Sequence, residues 1–134
     1  MTMPTCPCGS GLVDAACCSL YLDGIPAPTA LALMRSRYTA YVRGAIDYLV
    51  DTHDPRTRAS VDVAAVTRWS RETEWRGLEI VATERGGEDD DTGIVEFVAS
   101  GVTAGKAFHQ RERSRFRRVD GAWVYTDGDT RRSK

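Results

Sequence analysis

The run Trp75-Arg76-Gly77-Leu78-Glu79-Ile80-Val81-Ala82-Thr83 is followed, after an acidic turn at Gly86-Gly87-Glu88-Asp89-Asp90-Asp91, by Ile94-Val95-Glu96-Phe97-Val98-Ala99. Both runs have a period of two, that of a half-buried strand: Leu78, Ile80 and Ala82 share one face of the first, and Val95, Phe97 and Ala99 one face of the second. A third strand is expected over Phe108–Val119 and a fourth over Ala122–Thr126, joined by the hairpin signal Asp120-Gly121. Upstream of Trp75 the period is helical. Thr29 is a candidate N-cap for a helix to about Val42, with an apolar stripe through Leu31, Met34, Tyr38 and Tyr41 and with Arg35, Arg37 and Arg43 mostly off it. Gly44 marks a break, a short helix follows from Ala45 to about Thr52, and another is expected over Val61–Thr73. Helices followed by a run of antiparallel hairpins define an α+β chain, with the helices on one face of a curved sheet.

Ahead of the helices lies Cys6-Pro7-Cys8-Gly9-Ser10-Gly11, closed by Cys17-Cys18, and these are all four cysteines of the 134-residue chain. Thiolates at that density suit a tetrahedral Zn²⁺ site, since four of them complete the shell. Gly and Ser amides nearby are able to donate to the sulfurs and offset the net charge of about −2. Crossed disulfides, redox chemistry or free thiols are the other readings of the same spacing; adjacent Cys17 and Cys18 are poorly placed to bond each other.

Length and composition allow one ordinary domain plus a small appendage. The formal net charge of −1 argues against general nucleic-acid affinity, which needs a basic excess. No apolar stretch approaches the ~20 residues of a membrane span, and Met1-Thr2-Met3-Pro4 has neither a basic start nor an apolar leader core. A cytoplasmic, reducing setting is therefore expected. Asp23-Gly24 and the prolines at 26 and 28 carry linker signals. They divide the chain into residues 1–24, knuckle and linker, and residues 25–134, the α+β domain, with Leu20, Tyr21 and Leu22 packing one onto the other.

The cysteine pattern over residues 5–19 resembles the SEC-C motif, a small zinc-binding module. The SecA form of that module has lysines between its cysteine pairs that fit it for a chaperone or ribosome; here the interval Gly11-Leu12-Val13-Asp14-Ala15-Ala16 has none. That partner role does not carry over. Along the rest of the chain, Arg35-Ser36-Arg37-Tyr38, Thr52-His53-Asp54-Pro55, Trp75-x-Gly77-Leu78, Glu112-Arg113-Ser114-Arg115-Phe116 and Gly121-x-Trp123-x-Tyr125 are similar to the YchJ-like family. This resemblance implies a nuclear transport factor 2-like cone, a curved antiparallel sheet packed against N-terminal helices and preceded by a zinc knuckle. It implies no particular activity.

Cone folds curl round a cavity, but a fold by itself supplies no active site. His53, Asp54 and Glu112 are the candidate pocket groups. His53 and Asp54 are also explained by turn chemistry before Pro55, and Glu112, on the inward face with Phe108 and Phe116, calls for a partner such as Arg35 or Arg37. His109, Arg111, Arg113, Arg115 and Arg117 share the opposite face of the third strand. They read either as an anion-binding stripe or as ion pairs with Glu79 and Glu96. Two functions remain open: a zinc-binding protein whose knuckle is structural or recruits a protein partner, and a small-molecule binder or enzyme acting in the cone cavity. The absence of a phosphate-cradling glycine loop or a nucleophile elbow weakens the enzyme reading.

Overall fold

The computed structural model describes residues 5–133; Met1–Pro4, read above for a leader, lie outside them. Among the described residues, 3-10 turns at Asp14–Ala16 and Arg58–Ser60 accompany helices α1 (Cys18–Leu22), α2 (Ala30–Arg43), α3 (Ile46–Asp51) and α4 (Val63–Glu72). Strands β1 (Thr73–Arg85), β2 (Thr92–Thr103), β3 (Lys106–Val119) and β4 (Ala122–Ser133) then pair antiparallel in chain order. No helix among these residues is long and apolar enough to cross a membrane.

Local chemistry sets the helix ends. Thr29 Oγ1 accepts the Ala32 N–H at 3.0 Å, and Asp62 does the same for Ala65 at 3.0 Å. Gly44, at φ 73°, closes α2 in the left-handed conformation that favours glycine. Leu33, Met34 and Tyr38 of α2 pack on Val95, Phe97 and Ala99 of β2, with Phe116 and Trp123 beyond them. The same buried cluster contains all four cysteines, so the N-terminal segment is part of the main core.

Helix α2 departs from the single-stripe expectation. Ser36, Thr39 and Ala40 are fully buried, and Arg37 is only 7% exposed. One side of the helix meets the sheet and another is covered by α3, where Ser36 Oγ and Tyr48 OH lie 2.7 Å apart. Cys6 Sγ lies 3.6 Å from Thr39 Oγ1 on a further side. A helix enclosed this way buries small and polar residues, and no single apolar stripe marks its inside.

Three further details differ from expectation. A bulge between Ile80 and Ala82 pairs Ala82 with Glu96, which turns Ala82 and Glu84 to the outer face. Leu20, Tyr21 and Leu22, expected to pack the knuckle onto the domain, lie in helix α1, where Leu20 is left 39% exposed. Strand β4 runs past Thr126 to Ser133, over residues with no apolar alternation. Polar contacts hold it there: Arg115 bonds Asp127 and Asp129, and Thr130 Oγ1 donates to Glu112 at 2.9 Å.

The β1–β2 turn seats the sheet on the start of α2, through Ala30 N–H to the Gly86 carbonyl at 2.9 Å. A Cβ on Gly93 would stand 2.5 Å from the Gly86 Cα, a clash with backbone that cannot rotate away. Gly93→Ala is expected to lower stability by about 2–3 kcal/mol, the range of an overpacked core. A urea midpoint equal to wild type would show instead that the turn moves freely.

Candidate functional site

The cysteine segment is a tight loop. Thr5 bridges Val13, and the Cys6 N–H donates to the Leu12 carbonyl at 2.9 Å, which brings the first cysteine pair back towards the second. Cys17 ends the first 3-10 turn and Cys18 begins α1. All four sulfurs lie within 4.8 Å of one another, and every cysteine is buried. Cys8 and Cys17 sulfurs are 3.6 Å apart, Cys17 and Cys18 sulfurs 3.9 Å. A disulfide needs ~2.05 Å. The edge of a tetrahedron with ~2.3 Å metal–sulfur bonds is ~3.8 Å, so the spacing fits one ion held by four thiolates.

Helix α2 supplies the surroundings. Arg35 Nη1 donates to the Cys8 carbonyl at 2.8 Å and stands 3.9 Å from its sulfur. Thr39 lies beside Cys6, and Arg43 is ion-paired with Asp14 and donates to Ser19 Oγ at 3.1 Å. Positions 35, 39 and 43 follow one another at four-residue steps, so a single face of α2 grips the loop. Ser10 Oγ accepts the Leu12 N–H and lies 3.2 Å from Cys17 Sγ, a hydroxyl beside the sulfur where backbone amides were expected. Sequence reasoning missed Arg35 and Thr39 as neighbours of the site. Their spacing was visible, but nothing local shows which element that face meets.

The thiols divide their protons unevenly. The hydrogen bond shared with Cys18 pulls Cys8 down to about 4 against the opposing push of burial. The same bond, with burial, pushes Cys18 far up, and burial raises Cys17. One thiolate forms readily, while further ones in so small a volume need a cation to offset their charge.

A cavity of about 270 Å³ lies between the helices and the concave side of the sheet. Trp69, Trp75, Tyr41 and Phe97 supply much of its wall, and Arg37, His53, Gln110, Glu112 and Tyr125 bring polar groups to it. Of the candidate pocket groups, His53 and Glu112 line this cavity. The His53 ring packs 5.5 Å from Tyr125 and its Nε2 lies 2.9 Å from Thr57 Oγ1. Burial, helped by the Arg37 charge, lowers its pKa and keeps the imidazole neutral at neutral pH.

Asp54 does not line the cavity. Its fully buried carboxylate receives Arg117 Nε at 2.5 Å and Nη2 at 2.7 Å, with Arg56 and Thr126 also donating. A parallel bridge between His53 and Tyr125 turns these neighbours to opposite sides, His53 inward and Asp54 into the ion pair. The expected pairing of Glu112 with Arg35 or Arg37 is likewise absent among the described residues. Arg35 belongs to the cysteine loop, and Arg37 donates to the Leu49 carbonyl and Thr52 Oγ1 while lying 4.8 Å over Tyr125. Glu112 is held by hydroxyls from Ser114, Thr130 and Tyr125. Burial and the Glu112 charge raise the Tyr125 pKa, so the phenol keeps the proton it donates.

On the outer face of β3, Glu96 bonds Arg111 and Arg113, and Asp127 and Asp129 bond Arg115. Glu84, not Glu79, is the β1 carboxylate that reaches Arg113, at 3.0 Å, because the bulge turned it outward. With its charges compensated, this face is expected to bind short RNA weakly, and the affinity should fall steeply with salt. Tight, salt-resistant binding in a filter assay would contradict that.

A helix-backed antiparallel cone with a four-cysteine loop at its N-terminal end defines a SEC-C-type protein built on a nuclear transport factor 2-like domain. Residues 29–128 match the YchJ middle NTF2-like domain family. The chain is 49% identical over 129 residues to a UPF0225 protein of Chromobacterium violaceum, covering 92% of this chain and 90% of that relative. Among solved structures, a SEC-C motif containing protein from Rhodopseudomonas palustris superposes with a TM-score of 0.83 at 35% identity, covering 92% and 96% of the two chains. One from Psychrobacter arcticus gives 0.78 at 32%, covering 91% and 80%. The chain belongs to the YchJ (UPF0225) family.

Proposed function

We propose that Cys6, Cys8, Cys17 and Cys18 bind one Zn²⁺ and that this ion is structural. The observation that carries the reading is the sulfur spacing, 3.6 and 3.9 Å where a zinc tetrathiolate needs ~3.8 Å. Four thiolates leave no open position for a substrate or an activated water, and the cluster is buried. Bound there, zinc supplies cross-linking and charge balance only. The protein's own groups do the rest: Ser10 and Arg35 stabilise the thiolates, and the α2 face of Arg35, Thr39 and Arg43 fixes the loop on the scaffold. A second role, recruiting a protein partner in a cytoplasmic setting, draws support from Leu12 and Ile25, which are 53% and 55% exposed on the N-terminal segment.

Protein purified without added metal should contain one zinc per chain. Cys17→Ser should lose most of it, because a hydroxyl is a poor substitute for thiolate. Full stoichiometry after removal of any two cysteines would contradict the four-ligand reading.

A further inference from the structure

We propose that the cavity under the sheet binds a small uncharged aromatic molecule carrying a hydrogen-bond acceptor beside a donor, the chemistry of an aromatic carboxamide. None of the four cysteines lines this cavity, so the inference stands apart from the metal site.

The wall favours a ring. Trp69 and Trp75 meet edge to face at 5.0 Å, and Tyr41 meets Trp69 at 5.3 Å, leaving aromatic surface along one side of a space of about 270 Å³. At ~30 Å³ per water that space equals about nine waters, enough for one substituted ring. The polar groups are few and converge, as in ligand pockets generally.

Charge chooses the guest. Arg37 and Glu112 both line the cavity, yet they are not ion-paired. Each is held in place by other groups, and Tyr125 stands between them, with Arg37 over its ring and its hydroxyl on Glu112 at 3.3 Å. Both hydrogen bonds of Arg37 come from Nη1, which leaves the Nε and Nη2 edge for an acceptor. On Glu112, Oε1 receives only Thr130 among the described residues and keeps lone-pair capacity for a donor. A carboxylate guest would suit Arg37 but stand against Glu112, and an amidinium guest would meet the reverse. An amide satisfies both without a net charge to desolvate. Asp62, the other formal charge at the lining, is exposed and screened by solvent.

The test uses three molecules of one shape, benzamide, benzoate and benzamidine, titrated into the full chain at neutral pH. The indole N–H signals of Trp69 and Trp75 report binding. Benzamide should bind at least about tenfold more tightly than either ion, which corresponds to about 1.4 kcal/mol. Glu112→Gln should raise the affinity for benzoate and lower that for benzamidine, since Arg37 then stands without its opposite charge. Ala65→Trp, which alters neither charged group, should fill the cavity and abolish binding. Equal affinity for all three, or no response of their order to Glu112→Gln, would leave an apolar cavity without this selectivity and overturn the proposal. So would a lack of any response to benzamide, or binding that survives Ala65→Trp.

Discussion

Stripping the metal with a chelator, or replacing Cys18 with serine, is expected to lower the stability of the whole chain by about 5 kcal/mol. Structural zinc contributes on the order of 10 kcal/mol to isolated small domains that are unfolded without it. Here α2 and the sheet retain a core of their own, so part of the fold survives and the loss is smaller. It is still a large share of the 5–15 kcal/mol that holds a typical domain together. The effect reaches the whole molecule because the cysteines belong to the same buried cluster as Leu33, Tyr38 and Phe97. Without the ion, Cys8 and Cys18 become a crowded thiol pair, and Arg35 and Thr39 lose the surface they hold. The melting temperature should fall by about 15–25 °C, at roughly 3–5 °C per kcal/mol for a chain of this size. A fall of only a degree or two would mean that the loop is an appendage whose packing adds nothing.

The second large effect is expected at Asp54. Asp54→Ala leaves Arg117 without the carboxylate that receives two of its nitrogens. The Arg117 side chain is 29% exposed, so the loss is smaller than for a fully buried pair but still clear in a denaturant midpoint. Arg117→Ala in the same chain should recover part of the loss, because the stranded cation goes too. The pH dependence has a definite sign. Arg117 is the main cause holding the Asp54 carboxyl far below the usual range. Its contribution is therefore complete above the unfolded value near ~3.9 and is lost as pH falls towards the folded one. Denaturant midpoints of wild type and Asp54→Asn should stand well apart at pH 7 and converge below about pH 4. A constant gap would assign the effect to packing, not charge.

Much of the fold is legible in the residues because local signals agree with tertiary needs. Thr29, Gly44 and Asp62 mark helix ends by side-chain or glycine chemistry that acts within a few residues. Val95, Phe97 and Ala99 alternate because one face of β2 meets the core. The end of β4 was hidden for the opposite reason. Its Asp127, Asp129 and Thr130 are placed by partners on β3, and no apolar period records that. Gly128 shows the same dependence, since a Cβ there would stand 2.8 Å from Glu112 Oε2. In the site, the four cysteines were readable from spacing alone, because one loop brings all of them together. The partners of Asp54 and Glu112 were not: Arg117 sits 63 residues from Asp54, and Glu112 is held by hydroxyls of its own and the next strand, not by the α2 arginine expected for it. A charged residue's role depends on which opposite charge the topology delivers, and adjacency in sequence gave His53 and Asp54 opposite directions.

X-ray absorption at the zinc edge of the purified chain tests the central claim most directly. Four sulfur neighbours at ~2.3 Å, with no nitrogen or oxygen in the shell, is the predicted result. A shell containing two or fewer sulfurs, or protein with no zinc and its cysteines oxidised in pairs, would contradict it.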